Sequence, residues 1–222
     1  MPRRAALALA LLVSSAAPAA AQGPPPDPPG PYAIDLRGVF GGFPRDTTFF
    51  PPVPTGTVVP TRGFGLEIGG HVYLFRLGPA RLGIGVSALR VRHKISPADP
   101  PSTGRTPPPV RTVPDVEATL TTFAPQVSFN FGTADGWSYL SAGYGRAQVN
   151  TATLATATAT ARENGPLNAI NVGGGARWFR SRHLAITFDV RFHILAAKLA
   201  EPPLAGTPRS TVLTAGAGIS LR

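Results

Sequence analysis

Apolar and polar residues alternate with a period of two along much of this chain. The pattern is clearest from His183 to Ala196, where every even-numbered position from 184 to 194 is apolar and Asp189, Arg191 and His193 fall on odd-numbered positions. Successive side chains of a β-strand point to opposite faces, whereas a helix would distribute both sets around its axis. The segment is therefore predicted to be a strand with one apolar and one polar face.

Seven other segments repeat this alternation, so the chain is predicted to contain eight strands. Long loops and short turns alternate between them, as in outer-membrane barrels that have long loops at one rim and short turns at the other. Each strand has roughly 10 or more alternating residues, which is enough to cross a bilayer at a tilt near 45°. The predicted strands cover residues 32–41, 64–74, 81–93, 116–131, a segment beginning at 137, 167–179, 183–196 and 213–221.

Three segments modify this pattern. Leu89 to Arg92 is out of phase with the first half of its strand, which predicts a bulge or the exit of the strand from a membrane. Thr133 to Gly136 is predicted to be a tight turn in which Gly136 has a positive φ. The threonine–alanine repeat 151–161 forms either a flexible loop or two strand extensions, and its β-branched content favours the extensions.

The direction of the apolar faces distinguishes a membrane barrel from a soluble one. In a soluble lipocalin-like barrel they would point inward, which would crowd aromatic rings inside and leave a wall of glycine and serine outside. The sequence therefore favours an all-β fold, an eight-stranded antiparallel up-and-down transmembrane β-barrel with short periplasmic turns and long extracellular loops. The residues predicted to face lipid are Phe123, Val127, Phe129, Phe131, Trp178, Leu184, Ile186, Phe188, Val190 and Phe192.

The polar faces carry charges of both signs, which such a barrel would place in its lumen. Buried charges usually pair, and eight strands leave little room for an open channel. A lumen plugged by paired charges is the favoured interpretation. A narrow pore for small solutes is the alternative, because inward glycines and serines could leave water-filled cavities. The predicted lumen charge network comprises Asp35, Arg37, Glu67, His71, Arg177, Asp189, Arg191 and His193.

The first 21 residues have the pattern of a cleavable signal peptide. Arg3 and Arg4 precede an apolar run too short for a membrane anchor, and 19–21 is a small-residue cleavage site. Cleavage would lower the formal net charge of +10 by two. Residues 22–31 are predicted to be a proline-rich linker and residues 32–222 the barrel domain, exported to the outer membrane.

The composition agrees with an exported barrel. The chain has no cysteine, so an exported form needs a source of stability other than disulfides, such as a closed hydrogen-bonded sheet. A mean hydropathy of +0.08, with no long apolar run after the signal, excludes a membrane protein built from helices. The basic residues are mostly dispersed arginines, which argues against nucleic acid and suggests either contacts with lipid phosphates or solubilising charge.

No motif in the sequence indicates catalysis, a metal or a cofactor. His193 and Asp189 share a face but lie four residues apart, about 13 Å along a strand, which is too far for a hydrogen-bonded dyad. The sequence contains no G-x-S-x-G, H-E-x-x-H or acidic calcium loop. A non-enzymatic role is favoured over a lipid-modifying barrel enzyme or a soluble periplasmic ligand-binding barrel.

The long loops are the expected contact surface for a partner outside the cell, as outer-membrane lipids are for the barrel wall. In the first of these loops, Phe43, Phe49 and Phe50 could form an adhesive patch or rest on the barrel mouth. The second arrangement is favoured.

Several motifs resemble the small outer-membrane β-barrel domain family. They are Ala124 to Gly132 (APQVSFNFG), Gly173 to Phe179 (GGGARWF), Phe188 to Phe192 (FDVRF) and the alternating last strand. The resemblance covers residues 32–222 and implies a barrel of the OmpA/OmpX kind in a Gram-negative cell envelope, without a peptidoglycan-binding domain after it. It also implies the barrel-assembly machinery as a partner, although this chain ends on Leu221-Arg222 where many members have an aromatic residue.

Overall fold

Eight antiparallel strands close into a barrel in which each strand pairs with the next along the chain and the last pairs with the first. A computed structural model describes residues 30–53, 57–97, 114–133, 135–154, 159–202 and 205–222. The predicted all-β, up-and-down architecture is confirmed. The strands are β1 (Tyr32–Gly42), β2 (Arg62–Leu77), β3 (Ala80–Ile95), β4 (Asp115–Thr133), β5 (Gly136–Leu154), β6 (Ala159–Phe179), β7 (Leu184–Leu195) and β8 (Ser210–Leu221).

The connections place short turns at one end of the barrel and long loops at the other. Gly78 and Pro79 turn β2 into β3, Thr133 pairs with Gly136 between β4 and β5, and residues 180–183 join β6 to β7. This end is called the short-turn rim, and the opposite end the long-loop rim. The predicted signal peptide, residues 22–29 of the predicted linker and most of the second long loop lie outside the described residues.

The structure tests the predictions for the β4–β5 turn and for the threonine–alanine repeat. The positive φ near the β4–β5 turn is at Gly132 (128°), so its prediction at Gly136 is wrong. The threonine–alanine repeat continues β5 and β6 as paired strands, with Thr153 opposite Thr160, which confirms the strand extensions for the described part of this repeat. Across the described ranges, no helix is both long and apolar enough to span a bilayer.

The change of phase at Leu89 marks a change in the lumen and not a bulge. β3 pairs with β4 in unbroken register along Ala80–Ile95, so the predicted bulge is wrong. Leu89 and Val91 stay on the inward face and are buried, while Arg90 and Arg92 are exposed on the outward face. At this level the inner wall therefore becomes apolar and the outer wall becomes polar, as for a strand that leaves a membrane.

The apolar core lies inside the barrel, near the long-loop rim. Phe43, Phe49 and Phe50 of the first loop are at most 4% exposed and fill its mouth, which confirms that they rest on the barrel. Burying each such side chain contributes about 1.5–3 kcal/mol. The buried members of this core are Val39, Phe43, Phe49, Phe50, Leu89, Val91, Val116, Ala118, Leu120, Ala147, Val149, Leu167, Ala169, Leu195 and Val212.

The outer wall is apolar between the two rims. All ten side chains predicted to face lipid point outward and are 38–56% exposed. A soluble barrel would bury these side chains, so the inward-facing alternative is wrong. Exposed apolar surface of this extent is typical of a membrane or partner contact.

Candidate functional site

The structure places all eight residues of the predicted lumen charge network inside the barrel, each at most 4% exposed. Residues two or four apart on one strand share a face, and the pairing register holds them on the inner one. They come from four strands: Asp35 and Arg37 from β1, Glu67 and His71 from β2, Arg177 from β6, and Asp189, Arg191 and His193 from β7.

Asp35 is the centre of a first group of ion pairs. Arg177 donates two hydrogen bonds to its carboxylate, from Nε to Oδ1 at 2.8 Å and from Nη2 to Oδ2 at 2.6 Å. Arg37 Nη2 lies 2.7 Å from Asp35 Oδ2, and Arg37 Nη1 lies 3.0 Å from Glu67 Oε2. Because β1 and β6 are not neighbours in the sheet, the Asp35–Arg177 pair crosses the lumen.

Arg191 is the centre of a second group. Its Nη2 lies 3.0 Å from Asp189 Oδ2, its Nη1 donates to Asn171 Oδ1 at 3.0 Å, and its Nη2 also donates to Ser141 Oγ at 2.9 Å. Its Nε lies 4.0 Å from Glu67 Oε1, which joins this group to the first. The two groups and their hydrogen-bond partners thus join side chains from five strands, β1, β2, β5, β6 and β7, in one continuous polar network.

Tyr139 is a lumen residue that the sequence analysis missed. Its hydroxyl donates to Asp189 Oδ2 at 2.7 Å, and the Arg177 guanidinium carbon lies 4.1 Å from the centroid of its ring, in cation–π contact. The alternation along β5 could have identified it, because Tyr139 has the same parity as Ser141. It links a carboxylate of the second group to a cation of the first.

The network is electrically balanced. It contains three guanidinium groups and three carboxylates whose side chains are at most 5% exposed. Each carboxylate has a guanidinium nitrogen within 3.0 Å, which compensates for its lost hydration. Chemically, this arrangement crosslinks strands, and it leaves no unpaired carboxylate or guanidinium among its six members to attract a permeating ion.

The two inward histidines contact an amide and a hydroxyl. His71 Nε2 lies 3.1 Å from Gln126 Oε1, and Gln126 Nε2 donates to Ser87 Oγ at 2.7 Å. His193 Nε2 lies 3.3 Å from Thr214 Oγ1. In the described part of the chain, no group of three His, Cys, Asp or Glu side chains is arranged to hold a metal ion.

Inward glycines make room for large lumen side chains. A Cβ atom added at Gly85 would overlap the Gly70 carbonyl oxygen and the His71 ring, and one added at Gly175 would overlap the Phe188 carbonyl oxygen and lie 2.8 Å from the Tyr139 hydroxyl oxygen. All of these contacts are closer than van der Waals contact, so the space beside these glycines is already occupied. The glycine content of the inner wall therefore reflects packing and does not by itself indicate a channel.

At the long-loop rim, hydrogen bonds join loops to strand extensions. The Phe49 carbonyl oxygen accepts hydrogen bonds from Thr151 Oγ1 and Asn164 Nδ2, both at 2.7 Å. Arg162 Nη2 donates to the Ala205 carbonyl oxygen of the last loop at 2.5 Å. The β5–β6 extension therefore fastens the first and last long loops over the apolar core.

Aromatic rings line the lumen at the short-turn rim. Tyr73 and Trp137 are buried there, and the Trp137 and Phe179 ring centroids lie 4.7 Å apart. The Arg222 guanidinium carbon lies 4.0 Å from the Phe179 ring centroid. From the short-turn rim to the long-loop rim, the lumen thus contains an aromatic layer, the charge network and the apolar core.

No protein-family model matches the chain, and no curated protein sequence matches it. Among solved structures, Neisserial surface protein A matches with a TM-score of 0.51 and 10% identity, over 86% of this chain and 97% of that one. Ail of Yersinia pestis matches with a TM-score of 0.46 and 10% identity, over 85% of this chain and 97% of that one. The N-terminal β-barrel domain of Pseudomonas aeruginosa OprF matches with a TM-score of 0.40 and 14% identity, over 85% of this chain and 96% of that one. The chain has the eight-stranded, up-and-down fold of the small outer-membrane β-barrels of the OmpA/OmpX kind.

Proposed function

We propose that the protein is an outer-membrane β-barrel with a sealed lumen, a structural role in the envelope and a surface-interaction role at its long-loop rim. The observation that carries the sealed lumen is the pairing of all six lumen charges between an aromatic layer and an apolar core. Opening a path would separate buried ion pairs, at a cost of about 3–5 kcal/mol for each broken pair.

The apolar outer wall supports the membrane location. Outward-facing leucine, isoleucine, valine and phenylalanine side chains from all eight strands are about half exposed, and burial in lipid would remove this surface from water. Between the two rims the described strands leave no open backbone edge, because they close into a ring, and a closed barrel is one of the two structures that can span a bilayer.

Unequal strand lengths support the surface role. β4, β5 and β6 have 19, 19 and 21 residues, whereas β1, β7 and β8 have 11, 12 and 12. At about 3.3 Å per residue, one side of the barrel extends farther beyond the apolar wall. Its outer surface there carries polar residues such as Arg92 and Asn150, and it forms a stiff sheet on which an extracellular partner could dock.

Cysteine labelling tests the location and orientation, since the native chain has no cysteine. Asn150 is exposed on the β5 extension, and Arg182 is exposed at the short-turn rim. With a membrane-impermeant maleimide on intact cells, we expect labelling of Asn150→Cys, and labelling of Arg182→Cys only after permeabilisation. Labelling of Arg182→Cys alone would reverse the orientation, and recovery of both variants in the soluble fraction would reject the membrane location.

Ion flux tests the sealed lumen. In liposomes loaded with a chloride-sensitive dye, we expect the wild-type protein to give the flux of empty liposomes. The Asp35→Ala/Arg177→Ala variant, if its unboiled form still migrates differently from its boiled form on a detergent gel, should increase the flux because it removes the pair that crosses the lumen. Steady wild-type flux would instead establish the narrow pore.

The proposal includes no catalytic step. The two lumen histidines contact Gln126 and Thr214, and the six charged side chains are committed to ion pairs. A general base needs a reacting group within hydrogen-bond reach, and the six charged side chains of the network are at most 5% exposed.

A further inference from the structure

A groove of about 750 Å³ lies on the outside of the barrel, where β1, β2 and β8 reach the long-loop rim. It combines an apolar floor with basic walls. The floor contains Phe40, Leu213 and Ala215, and the walls contain Arg45, Arg62 and Arg209.

The floor of the groove is continuous with the apolar outer wall. Phe40 and Leu213 are 42% and 49% exposed, and Phe40 pairs with Ala215 across the β1–β8 seam that closes the barrel. The Phe40 ring also contacts the outward Phe64 ring, with centroids 5.1 Å apart. An acyl chain lying along this wall would therefore run directly into the groove.

The walls of the groove carry unneutralised positive charge. Arg45, Arg62 and Arg209 are exposed, and none has an ion-pair partner within the described residues. The carboxylate of the groove, Asp46, accepts hydrogen bonds from the backbone and side chain of Thr48 at 2.9 and 2.6 Å. Three guanidinium groups against one carboxylate leave a net charge of +2 in one concave site.

Two other basic residues near this rim are paired with carboxylates. Arg92 Nη2 lies 2.8 Å from Glu117 Oε2, and Lys94 Nζ lies 2.8 Å from Asp115 Oδ2. Carboxylates thus neutralise these two cations, whereas the three arginines of the groove have no such partner within the described residues. The combination of free guanidinium groups with an adjoining apolar floor distinguishes the groove from general surface basicity.

We propose that this groove binds a phosphorylated lipid of the outer leaflet, with its phosphate on the three arginines and an acyl chain on the floor formed by Phe40, Leu213 and Ala215. Guanidinium groups bind phosphate through paired, charge-assisted hydrogen bonds. Contact of an acyl chain with the apolar floor removes apolar surface from water and strengthens binding. A soluble polyanion would leave this floor exposed. This proposal rests on the proposed membrane location, and it adds that the groove binds lipids that carry a phosphate.

The test compares lipid binding by two matched triple variants of the full chain. Arg45→Gln/Arg62→Gln/Arg209→Gln removes the walls of the groove. Arg76→Gln/Arg180→Gln/Arg182→Gln removes three exposed arginines from the short-turn rim and changes the net charge equally. Native mass spectrometry in detergent measures retention of two probes: lipid A with its phosphates and the same lipid after dephosphorylation. A gel shift on boiling checks the fold of each variant.

We expect wild-type protein and the short-turn variant to retain phosphorylated lipid A equally. Each arginine strengthens attachment to anionic lipid headgroups about fivefold, so loss of all three should weaken binding by the groove variant about a hundredfold. Equal retention by the groove variant, or equal retention of dephosphorylated lipid, would overturn the proposal. Displacement of the lipid by millimolar inorganic phosphate would assign the site to free phosphate. Because the assay is done in detergent, it tests lipid binding by the groove independently of the membrane location. Cysteine labelling tests that location.

Discussion

The Asp35 carboxylate and the Arg177 guanidinium form a bidentate pair that spans the lumen from β1 to β6, with N–O distances of 2.8 and 2.6 Å. The two residues are 142 positions apart in the chain, and both side chains are fully buried. A pair with this geometry holds opposite walls of the barrel together. The stability of the barrel is therefore sensitive to substitution at either residue, because loss of one partner leaves the other charge buried without a counter-ion.

Asp35→Asn should lower the free energy of unfolding by about 3–5 kcal/mol, since it leaves Arg177 buried without its counter-ion. Asp35→Leu/Arg177→Met should restore much of this loss, because it replaces the pair with apolar groups. Urea unfolding of the protein in lipid vesicles measures both.

Arg92→Gln is the control for that measurement. It removes an arginine whose side chain is 59% exposed and paired with Glu117, so it should cost less than about 1 kcal/mol. If Asp35→Asn proves no more costly than Arg92→Gln, the lumen pair does not stabilise the barrel.

Gly85→Ala should destabilise the barrel by about 1–3 kcal/mol, because the added Cβ would overlap the Gly70 carbonyl oxygen and the His71 ring and force a rearrangement. Gly38→Ala is the matched control, since the nearest atom to its Cβ is the Ala217 carbonyl oxygen at 3.8 Å. Unfolding in urea again provides the measurement. Equal stabilities of the two variants would show that the lumen beside Gly85 has spare volume, as a water-filled pore requires.

The two tryptophans should report opposite environments. Trp178 is 55% exposed on the outer wall, whereas Trp137 is 1% exposed in the lumen. In vesicles of dibrominated lipid, Trp178→Phe should abolish most of the fluorescence quenching, and Trp137→Phe should leave a signal that is almost fully quenched. Stronger quenching of Trp137 than of Trp178 would contradict the orientation of the barrel wall.

Phe49→Ala should release the first long loop, because Phe49 is fully buried in the mouth and such truncations cost about 3–5 kcal/mol. We expect faster cleavage within residues 43–61 by an added protease, with the barrel itself still protected. Val58→Ala is the control, since Val58 belongs to the same loop and is 66% exposed. Unchanged cleavage of Phe49→Ala would show that the hydrogen bonds to the Phe49 carbonyl hold the loop without its ring.

Thr48→Ala should raise the pKa of Asp46. The side-chain and backbone hydrogen bonds from Thr48 stabilise the Asp46 carboxylate and lower its pKa below the usual value, and the substitution removes the hydroxyl donor. Since the folded pKa is lowered, this contribution to loop stability is present above the unfolded pKa of about 4 and is lost as the pH falls through the folded value. Carboxyl carbon chemical shifts across a pH titration measure the change, and identical titration of the two proteins would contradict it.

The sequence alone determined the strands, because alternation is a local property of the chain. A period of two assigns each side chain to a face, and the pattern of Leu184 to Ile194 could be assigned without knowing any neighbour. The order of long and short connections then indicated a barrel, and the aromatic residues on one face indicated which face was outside. These inferences need only parity and composition.

The tertiary structure decided which inward side chains meet, since contacts across a lumen depend on register and shear between strands far apart in sequence. Parity placed Asp35 and Arg177 on inner faces, but only closure of the sheet brought them within 2.6 Å. The phase change at Leu89 was compatible with a bulge or with the exit of the strand from a membrane, and the register of β3 with β4 excludes the bulge, because Leu89 and Val91 stay on the inner face as part of the apolar core. The basic groove likewise joins residues 45, 62 and 209, which come together only when the last strand pairs with the first.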